Sequence, residues 1–260
     1  MGLDVSPSVR ESVARASVGL APGVRGCLFD LDGVLTQTAT VHAKAWKEMF
    51  DAFLLERSTA TGVPFVPFDT AADYDQYVDG KPRADGVRSF LASRGITLPE
   101  GRVPGVSTVA VLGDRKNGIF RQLLRRDGVQ AYPGSLRYLR AVRRLGIRCA
   151  VVSSSVNCRD VLIAAGIEDL FDSRVDGVVA QRRNLAGKPA PDTYLYAALC
   201  LALDPSECAV FEDALAGVEA GRAGGFGQVV GIDRVGQAQA LRDQGATVVV
   251  GDLSELLASP

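Results

Sequence analysis

Lysine is scarce in this chain: of 29 basic residues among 260, only five are lysine, at 44, 47, 81, 116 and 188. Each therefore merits inspection. Excess charge is also missing. The formal net charge is -1, with no basic tail and no Lys/Arg run interleaved with aromatics, so nucleic acid is not an expected partner. No apolar stretch approaches the roughly 18 residues of a membrane span, and the N-terminus lacks a basic-then-apolar signal pattern. The five cysteines, at 27, 149, 158, 200 and 208, contain no CxxC pair. Cys27 and Cys149 fall inside apolar runs and read as small core residues in a reducing compartment, which argues against a disulfide frame or a zinc site. Met1-Gly2-Leu3-Asp4-Val5-Ser6 matches the myristoylation pattern, but no polybasic partner follows it and one acyl chain anchors weakly. The expectation is a cytoplasmic protein with no membrane partner, for which nothing demands more than a monomer.

What is present is ordinary globular composition, 47% hydrophobic and 23% charged, in a chain long enough for one large core plus an accessory domain. After a polar lead over residues 1–22, the run Val24–Phe29 stops at Asp30-Leu31-Asp32-Gly33. This predicts a short buried strand ending in acidic residues. Trp46, Met49, Phe50 and Phe53 then recur at helical spacing, predicting a helix over 38–57. Further helices are expected near 69–79, 84–94 and 114–127, with only weak strand candidates at Val106–Leu112. After Tyr132-Pro133-Gly134, helices are expected at 135–145, 157–165, 191–202, 214–223 and 235–244, followed by a short terminal helix. Strands between them are expected at Ile147–Val152, Val178-Val179, Cys208–Phe211, Gln228–Ile232 and Thr247–Val250. Apolar strands alternating with helices imply a parallel sheet covered on both faces. The expected fold is α/β: a Rossmann-like parallel sheet core of residues 23–37 and 130–260, with an inserted helical cap domain of residues 38–129.

In such sheets ligands bind beyond the carboxyl ends of the strands. Polar groups cluster after three strands, as Asp30 with Asp32, Ser153-Ser154-Ser155, and Glu212-Asp213; a fourth segment, Lys188-Pro189, sits at the start of the helix preceding the last of these strands. Two aspartates one residue apart can divide the work of nucleophile and proton shuttle. Carboxylates crowded together repel one another unless a hard cation sits among them, and Mg²⁺ suits an all-oxygen site. Serine and lysine are then suited to the phosphoryl oxygens that the metal leaves free. Each piece alone has a structural reading as a turn, a helix cap or a surface charge. Together, in this order, they predict a phosphoryl-transfer site.

These residues, Asp30-Leu31-Asp32-Gly33-Val34-Leu35-Thr36, Ser153, Lys188-Pro189-Ala190-Pro191-Asp192 and Glu212-Asp213, resemble the four motifs of the haloacid dehalogenase-like superfamily. The resemblance implies Asp30 as nucleophile and Asp32 as general acid/base. It implies Mg²⁺ held by the Asp30 side chain, the Asp32 backbone carbonyl and Asp213, with Glu212 in support, and it gives Ser153 and Lys188 to the transferring phosphoryl group.

Thr38, His42 and Trp46 share one helix face by their i, i+4, i+8 spacing. A lone histidine is ordinarily a surface or core residue. Yet the stretch from Asp30 through Thr36, Thr38, Ala39 and His42 to Ala45-Trp46 resembles the β-phosphoglucomutase family, where a cap histidine helps to position the general acid/base. Gly80-Lys81-Pro82-Arg83 and Asp114-Arg115-Lys116-Asn117 resemble its two cap motifs. The resemblance gives Arg83 to the phosphate that is not being transferred, a task suited to guanidinium. It gives Lys116 and Asn117 to the sugar, and Ser155 and Asn157 to the distal phosphate. The chain departs from the family at Val156 and Asp79, where lysine is usual; Lys81 or Arg159 are candidates to compensate.

Two phosphate sites favour a mutase, whose bisphosphate intermediate must present either end to Asp30. The implied reaction interconverts β-glucose 1-phosphate and glucose 6-phosphate through an aspartyl-phosphate, with cap closure excluding water. The alternative is a Mg²⁺-dependent sugar-phosphate phosphatase of the same fold. In either case the expected partner is a small sugar phosphate.

Overall fold

The computed structural model describes residues 15–258; the myristoylation-like pattern and most of the polar lead lie outside them. The chain divides into two compact units, one running to Thr36 and resuming at Ala131, the other Gln37–Gln130.

Among the described residues of the first unit, six parallel strands form one sheet in the order β3-β2-β1-β4-β5-β6. The strands are β1 (Gly26–Phe29), β2 (Arg148–Val152), β3 (Ser173–Val175), β4 (Cys208–Glu212), β5 (Gln228–Ile232) and β6 (Val248–Val250). β1, β4 and β5 are buried along their whole length, as strands covered on both faces must be. Phe29 stacks on Phe211 with ring centroids 4.6 Å apart and meets Tyr138 edge-on at 6.3 Å. Cys27, Cys149, Cys158 and Cys208 are buried free thiols. Burial pushes the Cys149 and Cys208 thiols up to about 12, so they behave as small apolar residues.

Two elements differ from the pattern reading. Val178-Val179, expected as a strand, lies in a helix, Gly177–Arg183. The Asp176 carboxylate accepts the amides of both valines, at 3.0 and 2.9 Å; this N-cap overrides their β propensity, and the strand is instead β3. Val106–Leu112, the weak strand candidate, contains a helix start: the Thr108 hydroxyl accepts from the Val111 amide at 3.1 Å and opens the helix Val109–Asp127.

The second unit is helical. Its long helix, α1 (Ala39–Thr61), buries Ala43, Trp46, Met49, Phe50, Phe53 and Leu54 along one face and ends at Gly62 in the left-handed region. A short π-helical turn, Tyr74–Val78, is closed by bonds from Tyr74 N to Asp69 O and from Asp79 N to Tyr74 O. Helices α2 (Arg83–Ser93) and α3 (Val109–Asp127) complete it. Phe50 is the hub of its core, with ring centroids at 5.2 Å from Trp46, 5.3 Å from Phe68 and 4.2 Å from Phe90. Each such ring contributes about 1.5–3 kcal/mol of burial.

Back in the first unit, α4 (Pro133–Arg144), α5 (Cys158–Ala164), α6 (Gly177–Arg183), α7 (Asp192–Cys200), α8 (Leu215–Ala223) and α9 (Ala238–Gln244) supply the crossovers. No helix among the described residues is long and apolar enough to cross a membrane.

Candidate active site

The chain turns tightly over residues 31–36, just beyond β1. Leu35 and Thr36 donate their amides to Leu31 O, and Gly33 donates to Thr36 O at 2.8 Å. This tight loop holds Asp30 at the carboxyl end of β1, where the Asp30 amide bonds Phe211 O in β4. Gly33 is required by two independent facts: its φ is +89°, and a β-carbon there would overlap the Asp213 carboxylate. The loop after β1 thereby closes onto the residue that follows β4.

Asp30, Glu212 and Asp213 are all buried, and each offers a carboxylate oxygen within 4.8 Å of the others. Lys188 is buried among them. Its ammonium donates to Asp30 Oδ1 at 2.5 Å, to Val152 O at 3.3 Å and to Glu212 Oε1. Lys188-Pro189 is a cis peptide. Glu212 is fully engaged: Oε1 also accepts from the Tyr194 hydroxyl at 2.8 Å, and Oε2 accepts from the Ala214 amide at 3.1 Å. A β-carbon at Gly217 would overlap that carboxylate, so the first turn of α8 also needs its glycine.

Burial, Glu212 and Asp32 push the Asp30 carboxyl well above its ordinary value, and Lys188 only partly offsets them. Burial alone would depress Lys188, but the attraction of Asp30 and Glu212 outweighs it and raises the ammonium. One ammonium against three buried carboxylates leaves a net deficit of positive charge in a low-dielectric, all-oxygen pocket. That donor set fits a hard divalent cation.

The remaining predicted residues of this unit follow β2. Ser153 is buried, directly after the Val152 carbonyl that Lys188 touches. Its hydroxyl accepts from the Ser155 amide, and the Ser155 hydroxyl accepts from the Asn157 amide, each at 3.1 Å. This chain of side-chain turns leads into α5. Arg159, a candidate to compensate for Val156, pairs with Glu168 at 3.0 Å.

In the second unit, His42 and Lys116, given separate jobs by the sequence reading, are joined: Lys116 Nζ lies 2.6 Å from His42 Nδ1. An ammonium can only donate, so a charged Lys116 makes Nδ1 the acceptor of this contact. Lys116 is buried, 4.8 Å from the Trp46 ring and 5.2 Å from Phe120, where cation–π attraction supports its charge. Arg83 is half-buried, with Asp114 3.9 Å away, and Asp114 is held more closely by Arg102 at 2.6 Å. Burial lowers the Arg83 guanidinium from its ordinary value, with Asp114 opposing. Lys81 donates to the Ser89 hydroxyl at 3.0 Å, so it too is engaged within its own unit.

Sequence reasoning missed Tyr194, which no motif contains. A tyrosine on the first turns of the helix following Lys188-Pro189 was the available signal.

Residues 24–225 match the family of haloacid dehalogenase-like hydrolases. The chain is 58% identical over 257 residues to the β-phosphoglucomutase of Mycobacterium bovis, covering 96% of this chain and 97% of that protein. It is 31% identical over 234 residues to the β-phosphoglucomutase of Bacillus subtilis, covering 90% and 92% of the two chains. The crystal structure of β-phosphoglucomutase from Clostridium difficile superposes with a TM-score of 0.70 at 26% identity, over 90% of this chain and 93% of that one.

Proposed function

This chain belongs to the haloacid dehalogenase-like hydrolase family, and from that premise we propose that it catalyses the β-phosphoglucomutase reaction, interconverting β-glucose 1-phosphate and glucose 6-phosphate through a bisphosphate. The observation that carries this reading is its near-full-length kinship, at 58% identity, to a protein named for that activity. The buried Asp30–Lys188–Glu212–Asp213 cluster supports the chemistry.

Asp30 is the nucleophile: its carboxylate attacks one phosphorus of the bisphosphate, the P–O bond to the sugar breaks, and an aspartyl-phosphate forms. Asp32, one residue along the same loop, delivers a proton to the departing sugar oxygen. In the return step it takes the proton from the hydroxyl that attacks the aspartyl-phosphate. Lys188 and Ser153 neutralise and orient the phosphoryl oxygens. Glu212 holds Lys188, and Tyr194 holds Glu212. His42 helps to position Asp32, Lys116 and Asn117 take the sugar, and Arg83 with Ser155 and Asn157 takes the phosphate that is not being transferred. The Asp30 carboxylate, the Asp32 carbonyl and Asp213, with Glu212 in support, are the residues that would hold Mg²⁺. When bound, the ion draws charge from the crowded carboxylates and the transferring group.

Incubation with β-glucose 1-phosphate, Mg²⁺ and a trace of the bisphosphate is the test. Glucose 6-phosphate without free phosphate is expected. Stoichiometric phosphate release would overturn the mutase in favour of a phosphatase.

A further inference from the structure

The loop after β5, residues 233–237, carries none of the family motifs, yet it reaches both aspartate-bearing segments of the site. Arg234 donates from Nε to Gly33 O at 2.7 Å and from Nη2 to Val34 O at 3.4 Å, within the turn that follows Asp30 and Asp32. Its third donor goes to Gly251 O at 2.9 Å, and its guanidinium lies over the Tyr132 ring at 3.7 Å. Three residues on, Gln237 Nε2 donates to the backbone oxygen of Asp213 at 3.0 Å. The loop is itself braced, because Asp233 Oδ1 accepts the amides of Gly236 and Gln237 at 2.7 and 2.8 Å. One rigid turn therefore grips the β1 loop with one side chain and the β4 segment with another. Between them lies the contact in which Gly33 backs onto the Asp213 carboxylate.

We propose that Arg234, with Gln237, is a positioning residue that sets the spacing of the Asp30 and Asp213 segments and thereby their joint affinity for a divalent cation. This rests on the metal reading above. A planar guanidinium suits the task because it presents several donors in a fixed fork, which lysine cannot reproduce.

The test is calorimetric titration of the full chain with Mg²⁺. Outer supports of metal ligands typically contribute roughly 10–100-fold in affinity, so R234A is expected to weaken Mg²⁺ binding at least about tenfold. R234K should be intermediate, Q237A should lose a few-fold, and added methylguanidinium should restore R234A. Leu241→Ala, a core truncation in α9, controls for general loosening; it should lower the melting temperature and leave Mg²⁺ affinity unchanged. Should R234A fail to fold, R234K and Q237A decide. Variants that bind Mg²⁺ within twofold of wild type, or an equal loss in L241A, overturn the strut alone. A wild-type chain that takes up no Mg²⁺ overturns it together with the metal reading.

Discussion

The two units hold their charges in opposite ways. In the first, Lys188, Asp30 and Glu212 are packed together with almost no water access, Asp30 and Glu212 at the ends of strands whose backbone is locked into a ladder. In the second, Arg83, Arg102 and Asp114 form looser pairs on helices and a loop, with 28%, 73% and 46% of their side chains exposed. Buried charges held by hydrogen bonds cannot reorient cheaply, whereas exposed ion pairs exchange freely with water and contribute little. The difference teaches how each unit constrains its charges: the sheet unit fixes them in a buried network, and the helical unit leaves its arginines partly open to water. Lys116 is the exception, a buried ammonium in the helical unit that is held by His42 and aromatic faces.

The sharpest test of that contrast is Asp30→Asn, which should lower turnover by at least about 10⁴-fold with any sugar phosphate, because it removes the nucleophile outright. Residual activity near wild type would place the chemistry elsewhere. Next comes Lys188→Met, which leaves the three buried carboxylates with no ammonium among them. The metal-free protein should lose on the order of 3 kcal/mol in denaturant unfolding, and Mg²⁺ should recover part of it. Arg83→Ala should cost roughly 10–100-fold in kcat/KM for mutase turnover while sparing slow phosphate release from a small acyl phosphate. An equal effect on both would erase the division between the units.

A pH experiment sharpens the same contrast. Because the Asp30 carboxyl is raised above its ordinary value, the folded state binds the proton more tightly than the unfolded chain. Metal-free stability should therefore be highest below about pH 4 as far as this group is concerned, and should fall as pH rises through the raised value. Saturating Mg²⁺ should flatten that slope; a slope unchanged by the ion would argue against it binding beside Asp30. The smallest effect is expected from Arg102→Ala, at most about 1 kcal/mol of stability.

Much of the sheet unit was legible because buried parallel strands are written as short apolar runs and the candidate site residues follow at once in sequence. Asp30, Ser153 and Asp213 all sit within one residue of a strand end. Errors arose where a side chain outvoted local propensity, as Asp176 did for Val178-Val179 and Thr108 did for the helix that follows it. The helical unit was less legible: the joining of His42 to Lys116 spans 74 residues, and no periodicity reports it.

Sequence alone determined the layered α/β class and the order in which the motif residues arrive, since hydrophobic period and strand-end chemistry act over a few residues. Only the tertiary structure decided that Gly33 must lie against Asp213, that Tyr194 holds Glu212, and that Arg234 reaches Gly33 across 201 positions. Those contacts depend on strand order and register, which bring distant loops together at the carboxyl end of the sheet, and no local pattern encodes a distance of that kind.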